Sequence, residues 1–383
     1  MFYNLETIGR RHKSYGRVYY IDEGCLVTYT VNCRGNRLAT SAERRNDVVH
    51  FTRRGEKTSL HNLPTGQAFP TYKVAAVQAA PVFLDKEATL EKACQLIEEA
   101  ASQGAALIVF PETWLPGYPV WANAVSRWNY PPAKKAYSRL YKNAVDIPGP
   151  VIQHLGKVAK KAGVFLVMGV NERTRSGTLY NTMLFIGRDG KFLGKHRKLV
   201  PTYHERMFWA HGDASTLEVF DTEIGRLGGL ICWEHWMPLA RYALYAQGEQ
   251  VHASLWPNAG ETFLLACRHM AFEGRLFVIV SCSYLTKAML PADFELMKEM
   301  ESFPEVLSSG GSAIIGPDAK YLAGPVYNCE TVLYADIELE QIIEEKQSLD
   351  VVGHYSRPEV FTLHVDRREM TSAAFHEGQE DKS

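Results

Sequence analysis

An α/β fold with helices covering a mixed sheet is predicted by three observations. Near-continuous apolar runs such as KVAAVQAAP, beginning at Lys73, read as strands buried on both faces. From Tyr72 onward, strand patterns alternate with helix patterns, the order in which helices come to lie on sheet faces. The turn Arg188-Asp-Gly-Lys191 between two apolar runs joins an antiparallel pair, so the sheet is mixed.

Residues 1–70 have a different texture. They carry Arg10, Arg11, Arg17, Arg34, Arg37, Arg44, Arg45, Arg53 and Arg54 with few sustained apolar patterns, and read as an N-terminal extension. Within it, Arg17–Ile21 and Cys25–Val31 have the composition to pair as strands. Asn62–Pro70 reads as a linker. In the main domain, 71–368, Asp85 caps a helix in which Leu90, Ala93, Ile97 and Ala101 recur at helical spacing, and Gly104 closes it before the strand Ala105–Phe110. A second helix, Val151–Ala162, is closed by Gly163 and feeds the strand Val164–Val170. The hairpin Leu179–Ile186 and Lys191–Lys198 follows. Then come the strand Arg226–Cys232, a helix around Pro238–Gln247, the strand Val251–Trp256, a helix around Thr262–Gly274 and the strand Leu276–Ser281. A last hairpin turns about Pro317-Asp318, and residues 369–383 form a polar, frayed tail.

The composition narrows the function. Lys+Arg 42 against Asp+Glu 43 leaves a formal charge of -1, so no global field draws the chain to nucleic acid or to an acidic membrane surface. The expected partner is a small molecule. Cys25, Cys33, Cys94, Cys232, Cys267, Cys282 and Cys329 are odd in number, scattered and mostly set in apolar runs, which suits reduced thiols in a cytoplasm. No apolar run is long enough to span a membrane, and the start MFYNLETIGRRHKSYG has no signal-peptide core.

Three strand ends carry the chemistry: ALIVFPE ending at Glu112, KFLGKHRK ending at Lys198, and RLGGLIC ending at Cys232. Taken singly, each is better explained by a core cysteine or a solvated charge. Together they are complementary groups at equivalent topological places, and side chains converge beyond the carboxyl ends of strands. An ordinary thiol is only slightly ionised at neutral pH, so a nucleophilic cysteine needs a base or a nearby cation. Glu112 supplies a base, and Lys198 a charge for the anion that develops when a C≡N or C=O carbon is attacked. Glu205 is placed to orient Lys198 or a water. Trp114, Tyr118, Trp233 and His235 are pocket candidates by nearness in sequence. A Cys-His hydrolase using His204, His211 or His235 stays open on spacing alone, whereas a metal site at Cys232-x-x-His235 is disfavoured, since no second ligand pair sits at zinc-finger spacing and Trp233 and Trp236 argue for a pocket.

These residues resemble the nitrilase superfamily of carbon–nitrogen hydrolases, whose Glu-Lys-Cys triad matches Glu112, Lys198 and Cys232 in order and setting. FPETWLPGYP, RKLVPTYHER, CWEH and GHYSRPEVF look like the nitrilase branch in particular, and the likeness runs from about Lys73 to about Val365. The resemblance implies a four-layer α-β-β-α sandwich and a supporting carboxylate at Glu205. It also implies hydrolysis of an organic nitrile to acid and ammonia without metal or organic cofactor, and assembly into homodimers or larger spiral homo-oligomers. An amidase or cyanide hydratase with the same triad is the alternative. A silent scaffold or filament protein is the non-enzyme reading, which the intact set of four site residues disfavours. The family does not ordinarily carry the first 70 residues. No Met lies between Met1 and Met168, which excludes a downstream AUG start, while a non-AUG start near Leu60 or Val49 would account for the extension.

Overall fold

The structure, a computed structural model, describes residues 15–22, 25–32, 69–125, 127–371 and 373. Two compact units divide the chain, Met1–Thr65 and Gly66–Ser383. In the first, β1 (Tyr15–Asp22) and β2 (Cys25–Asn32) pair antiparallel with Asp22 opposite Cys25, over the two patches whose composition suits strands. The expected linker lies outside the described residues up to position 68, and so does most of the expected tail.

The second unit contains two mixed sheets where strand alternation alone suggested one. The first sheet holds β3 (Thr71–Gln78), β4 (Ala105–Val109), β5 (Phe165–Arg173), β6 (Leu179–Ile186) and β7 (Phe192–Arg197), with β15 (Thr331–Glu338) on its outer edge beside β3. The second holds β8 (Phe220–Thr222), β9 (Gly225–Ile231), β10 (Val251–Trp256), β11 (Phe277–Cys282), β12 (Tyr284–Thr286), β13 (Val306–Ile315) and β14 (Tyr321–Tyr327). Which strands share a sheet depends on pairings between segments far apart in sequence. β15 pairs with β3 from Thr331–Gln78 to Glu338–Thr71, a partnership that no local pattern announces.

The period-2 alternation of side chains then fixes the layers. Along β3, Val74 and Ala76 join a core that includes Leu227, Leu230, Ala253 and Val278 of the second sheet, while Ala75 and Val77 join another core on the opposite face. That opposite core is completed by Ala93 and Ile97 of α1 (Lys86–Ser102) and by Ile152 and Leu155 of α3 (Pro150–Ala162). Leu244 of α4 (Pro238–Tyr245) and Cys267 and Met270 of α5 (Glu261–Gly274) pack on the second sheet. The order is helix, sheet, sheet, helix. Gly229 on β9 lets the sheets approach, because a Cβ there would lie 2.6 Å from the Met183 sulfur.

Local signals placed several boundaries well. Asp85 accepts the Ala88 N–H as the N-cap of α1, and Gly163 closes α3 in the left-handed region at φ 70°. Two helices are absent from the sequence reading, the longer being α2 (Pro131–Asn143). Its opening Pro-Pro looks like a breaker, yet proline is preorganised for the first helical turn, and only Ala136 and Leu140 are buried. The short helix α6 (Glu340–Lys346) was likewise unexpected.

Candidate active site

Three strands bring the reactive groups to one place. β4 and β5 run parallel, β6 is antiparallel to β5, and β7 is antiparallel to β6, so β4 and β7 point the same way. Glu112 therefore emerges beyond β4 and Lys198 beyond β7 on the same edge of the first sheet, while Cys232 ends β9 of the second.

The Glu112 turn is stitched onto β5. Gly169 N–H donates to the Pro111 carbonyl at 3.1 Å, and Leu115 N–H donates to the Gly169 carbonyl at 3.2 Å. Only glycine fits there, since a Cβ on Gly169 would meet the Pro111 carbonyl oxygen at 2.2 Å. Glu112 itself is fully buried. Its Oε1 accepts from Lys198 Nζ at 2.8 Å and from Asn181 Nδ2 at 2.6 Å. Its Oε2 has no partner among the described residues, which leaves one oxygen for a proton.

Lys198 Nζ also donates to Glu205 Oε2 at 2.7 Å. Glu205 sits in a 3-10 turn, Tyr203–Met207, where the same Oε2 accepts the Thr202 N–H at 2.7 Å and Oε1 accepts the Tyr118 hydroxyl at 2.8 Å. Cys232 stands at an elbow between β9 and a 3-10 turn, with φ at 55°. A non-glycine residue in that region is uncommon, and such strain clusters at functional sites. The elbow is braced by Glu234, which accepts the Ile231 N–H and the Leu199 N–H, each at 2.7 Å, and meets His196 Nε2 at 3.0 Å. One carboxylate thus ties the cysteine elbow to the segment that follows Lys198.

Burial and charge set the protonation states. Burial pushes Glu112 up to about 7, because it outweighs the pull of the Lys198 ammonium, and Glu205 adds to the rise. Burial also pushes the Cys232 thiol well above its ordinary value, with Glu112 reinforcing and Lys198 opposing, so the resting thiol is neutral. For Lys198, burial disfavours charge, but the Glu112 and Glu205 carboxyls hydrogen-bonded to its Nζ outweigh it and keep the ammonium protonated. Tyr118 is held in its phenol form by burial and by Glu205, which makes it a donor.

Donor atoms of Glu112, Glu205 and Cys232 lie within 4.8 Å of one another. They form the set that a metal would need, but Lys198 Nζ hydrogen-bonds both carboxylates and already places a cation among them. His235 does not complete a metal pair with Cys232. Its Nδ1 faces the Cys232 carbonyl oxygen at 2.6 Å and its Nε2 faces His252 at 3.1 Å, so both nitrogens are engaged away from the thiol.

Over the thiol opens a cleft of about 200 Å³ whose lining includes Tyr118, His204, Trp233, Trp256 and Phe263. Of the four pocket candidates, Tyr118 and Trp233 line this cleft. Trp114 and His235 are corrections: both are fully buried outside the cleft lining. Trp114 Nε1 donates to the Ala79 carbonyl at 2.8 Å and its ring packs on Phe110, because the turn after Glu112 sends that side chain into the helix-side core. Sequence reasoning missed Asn181, Glu234, Trp256 and Phe263. Asn181 carried a usable signal, being a polar residue inside the apolar strand LYNTMLFI, since a buried amide needs a partner.

A family model described as carbon-nitrogen hydrolase matches residues 73–347. The chain belongs to the carbon-nitrogen hydrolase family. Within it, this hydrolase is 43% identical over 302 residues to a bifunctional nitrilase/nitrile hydratase of Lupinus angustifolius, covering 77% of this chain and 86% of that one. It is 42% identical over 301 residues to a nitrilase of Bradyrhizobium diazoefficiens, covering 78% and 93%. These relatives place the hydrolase in the nitrilase branch of the nitrilase superfamily. The fold matches the crystal structure of a carbon-nitrogen hydrolase from Helicobacter pylori with a TM-score of 0.58 at 20% identity, covering 73% of this chain and 93% of that one.

Proposed function

We propose that this hydrolase converts an organic nitrile and water to a carboxylic acid and ammonia, with Cys232 as nucleophile, Glu112 as proton carrier and Lys198 as charge stabiliser. The observation that carries the assignment is the unpartnered Glu112 Oε2 beside a thiol that burial keeps neutral. Cys232 Sγ attacks the nitrile carbon while Glu112 takes the thiol proton and passes it to nitrogen, giving a thioimidate. Water adds to the thioimidate carbon and Glu112 passes one of its protons to nitrogen; Glu112 then takes the second proton from the adduct hydroxyl and gives it to nitrogen as the C=O forms, so that ammonia leaves and a thioester remains. A second water cleaves the thioester, releasing acid and restoring the thiol. Lys198 stabilises charge at each tetrahedral step, held in place by Glu205 and Tyr118.

A second outcome is favoured by the relatives named for both nitrilase and nitrile hydratase activity. If the tetrahedral adduct expels the thiolate in place of ammonia, the product is an amide. A panel of aliphatic, aromatic, arylacetic and dinitrile substrates, assayed for both ammonia and amide, tests the reaction and gives the substrate class. Ammonia from at least one class is expected, and none from any would refute the proposal.

The acid limb of the rate follows from Glu112. The base must be ionised to take the thiol proton, so kcat/KM should rise as pH rises through about 7, and fall about tenfold per unit on the acid side. A profile flat from about pH 5 to 8 would contradict this role.

The reading extends to the setting of the enzyme. We infer a cytoplasmic location, supported by Cys94, Cys232, Cys267, Cys282 and Cys329 being free thiols. No helix among the described residues is long and apolar enough to cross a membrane. A homo-oligomer is supported by Trp236, Leu239, Leu265 and Phe272, large apolar side chains exposed on and beside α4 and α5. Residues 1–70 are read as an appendage. A chain truncated to begin at Pro70 should be soluble, of native size and close to full kcat; an insoluble or inactive product would show that the segment belongs to the fold or an interface.

A further inference from the structure

Beneath the cysteine elbow lies a file of buried groups that the proposed reaction does not use. His235 Nδ1 is 2.6 Å from the Cys232 carbonyl oxygen, His235 Nε2 is 3.1 Å from His252 Nε2, and His252 Nδ1 is 2.7 Å from Glu249 Oε1. All three side chains are buried, and Glu249 Oε2 has no partner among the described residues. Glu249 packs against β9 at Gly228, where a Cβ would lie 2.2 Å from its Oε1, so the file occupies space that glycine opens.

Hydrogen-bond direction constrains the protons. A carbonyl oxygen only accepts, so His235 Nδ1 must donate, and each of the other two links needs one proton between its two heavy atoms. Three links then hold three protons, and the file has no net charge whichever atom carries each. If the Glu249 carboxyl carries its proton, both rings are neutral. If it does not, one ring is an imidazolium shut away from water. Burial pushes Glu249 well above the usual carboxylate range and pulls His235 and His252 down to about 3. The charged or titratable neighbours are Glu234 and Arg241 for His235, and Glu234 and His196 for His252. Arg241 donates to the His235 carbonyl at 2.8 Å and is paired with Glu273, and His196 is paired with Glu234, so neither basic side chain is left over to neutralise a Glu249 carboxylate.

We propose that Glu249 is a neutral carboxylic acid donating to His252, and that Glu249, His252 and His235 are positioning residues. They hold the Cys232 carbonyl, and with it the left-handed backbone that keeps the thiol within reach of Glu112. The proposal rests on the reading of Cys232 as nucleophile. Its chemistry matches the rule that a carboxyl enclosed in a site without a cation stays protonated at neutral pH.

Infrared and nitrogen NMR spectra of the intact wild-type enzyme test it directly. Expected are a protonated-carboxyl band that persists through neutral pH and vanishes in Glu249→Gln, a His235 ring protonated at Nδ1 and a His252 ring protonated at Nε2. A carboxylate with an imidazolium in their place would overturn the proposal. Kinetics supply the second arm. The glutamine amide can donate the same bond, so Glu249→Gln should keep kcat within about twofold, whereas Glu249→Leu should lower it about tenfold or more with KM little changed and with slower alkylation of Cys232. Equal losses in both variants would also overturn it. Should Glu249→Leu fail to fold, the wild-type spectra and the glutamine variant still decide. Failure of the nucleophile reading would appear separately, as turnover in Cys232→Ala with the ring tautomers unchanged.

Discussion

Cys232→Ala is expected to abolish ammonia release while the protein folds and assembles as before. Alanine keeps the Cβ, so the strain of a φ at 55° is the same in both proteins, and the loss is confined to one buried sulfur. Every step of the proposed reaction passes through the Sγ–carbon bond, and Cys94, Cys267 and Cys282 are not placed to replace it. Cys267 is pushed up to about 12 by burial, and Cys282 is buried with its thiol also pushed well up. Cys94 lies outside the site, against His154 at 3.4 Å. Alanine at these three positions should leave most of the activity, and turnover by Cys232→Ala above a few per cent of wild type would sink the assignment.

Glu112→Gln and Lys198→Met carry the next largest effects. Glutamine keeps the oxygen that accepts from Lys198 and Asn181 but cannot carry the thiol proton, so kcat should fall at least about a hundredfold. Lys198→Met removes the cation that faces the developing anion, a loss on the order of 3 kcal/mol in the barrier. The same change leaves the Glu112 and Glu205 carboxyls buried without their shared partner, and stability should drop by about 3–5 kcal/mol as well. Circular dichroism separates a folded, slow enzyme from an unfolded one. If Glu112→Gln is mild and a substitution at His204 or His211 is lethal, the Cys-His reading replaces this one.

Glu112, Lys198 and Cys232 stood out in the sequence because each ends a locally recognisable strand, and the resemblance to the nitrilase superfamily singled them out from the rival histidines. Glu112, Lys198 and Cys232 needed no knowledge of which strands are neighbours. What surrounds them did need it. Asn181 reaches Glu112 only because β6 lies between β5 and β7, and Glu234 reaches Leu199 only because the two sheets meet at that edge. The same gap explains Trp114 and His235. Sequence proximity places a residue near the site along the chain but says nothing of the direction of its side chain, which the tight turns after Glu112 and Cys232 reverse within two or three residues. α2 lies in a stretch to which the sequence reading assigns no element; its Pro-Pro start preorganises a first turn, and only Ala136 and Leu140 are buried.

The central claim is a covalent bond between substrate carbon and Cys232. Peptide mass spectrometry of enzyme quenched in acid during turnover of a nitrile tests it most directly. The account predicts an adduct with the mass of a thioimidate or thioester on the peptide containing Cys232, formed and lost at rates that match turnover. An adduct on another cysteine, or steady turnover with no adduct on Cys232 under conditions that trap thioesters, would contradict it.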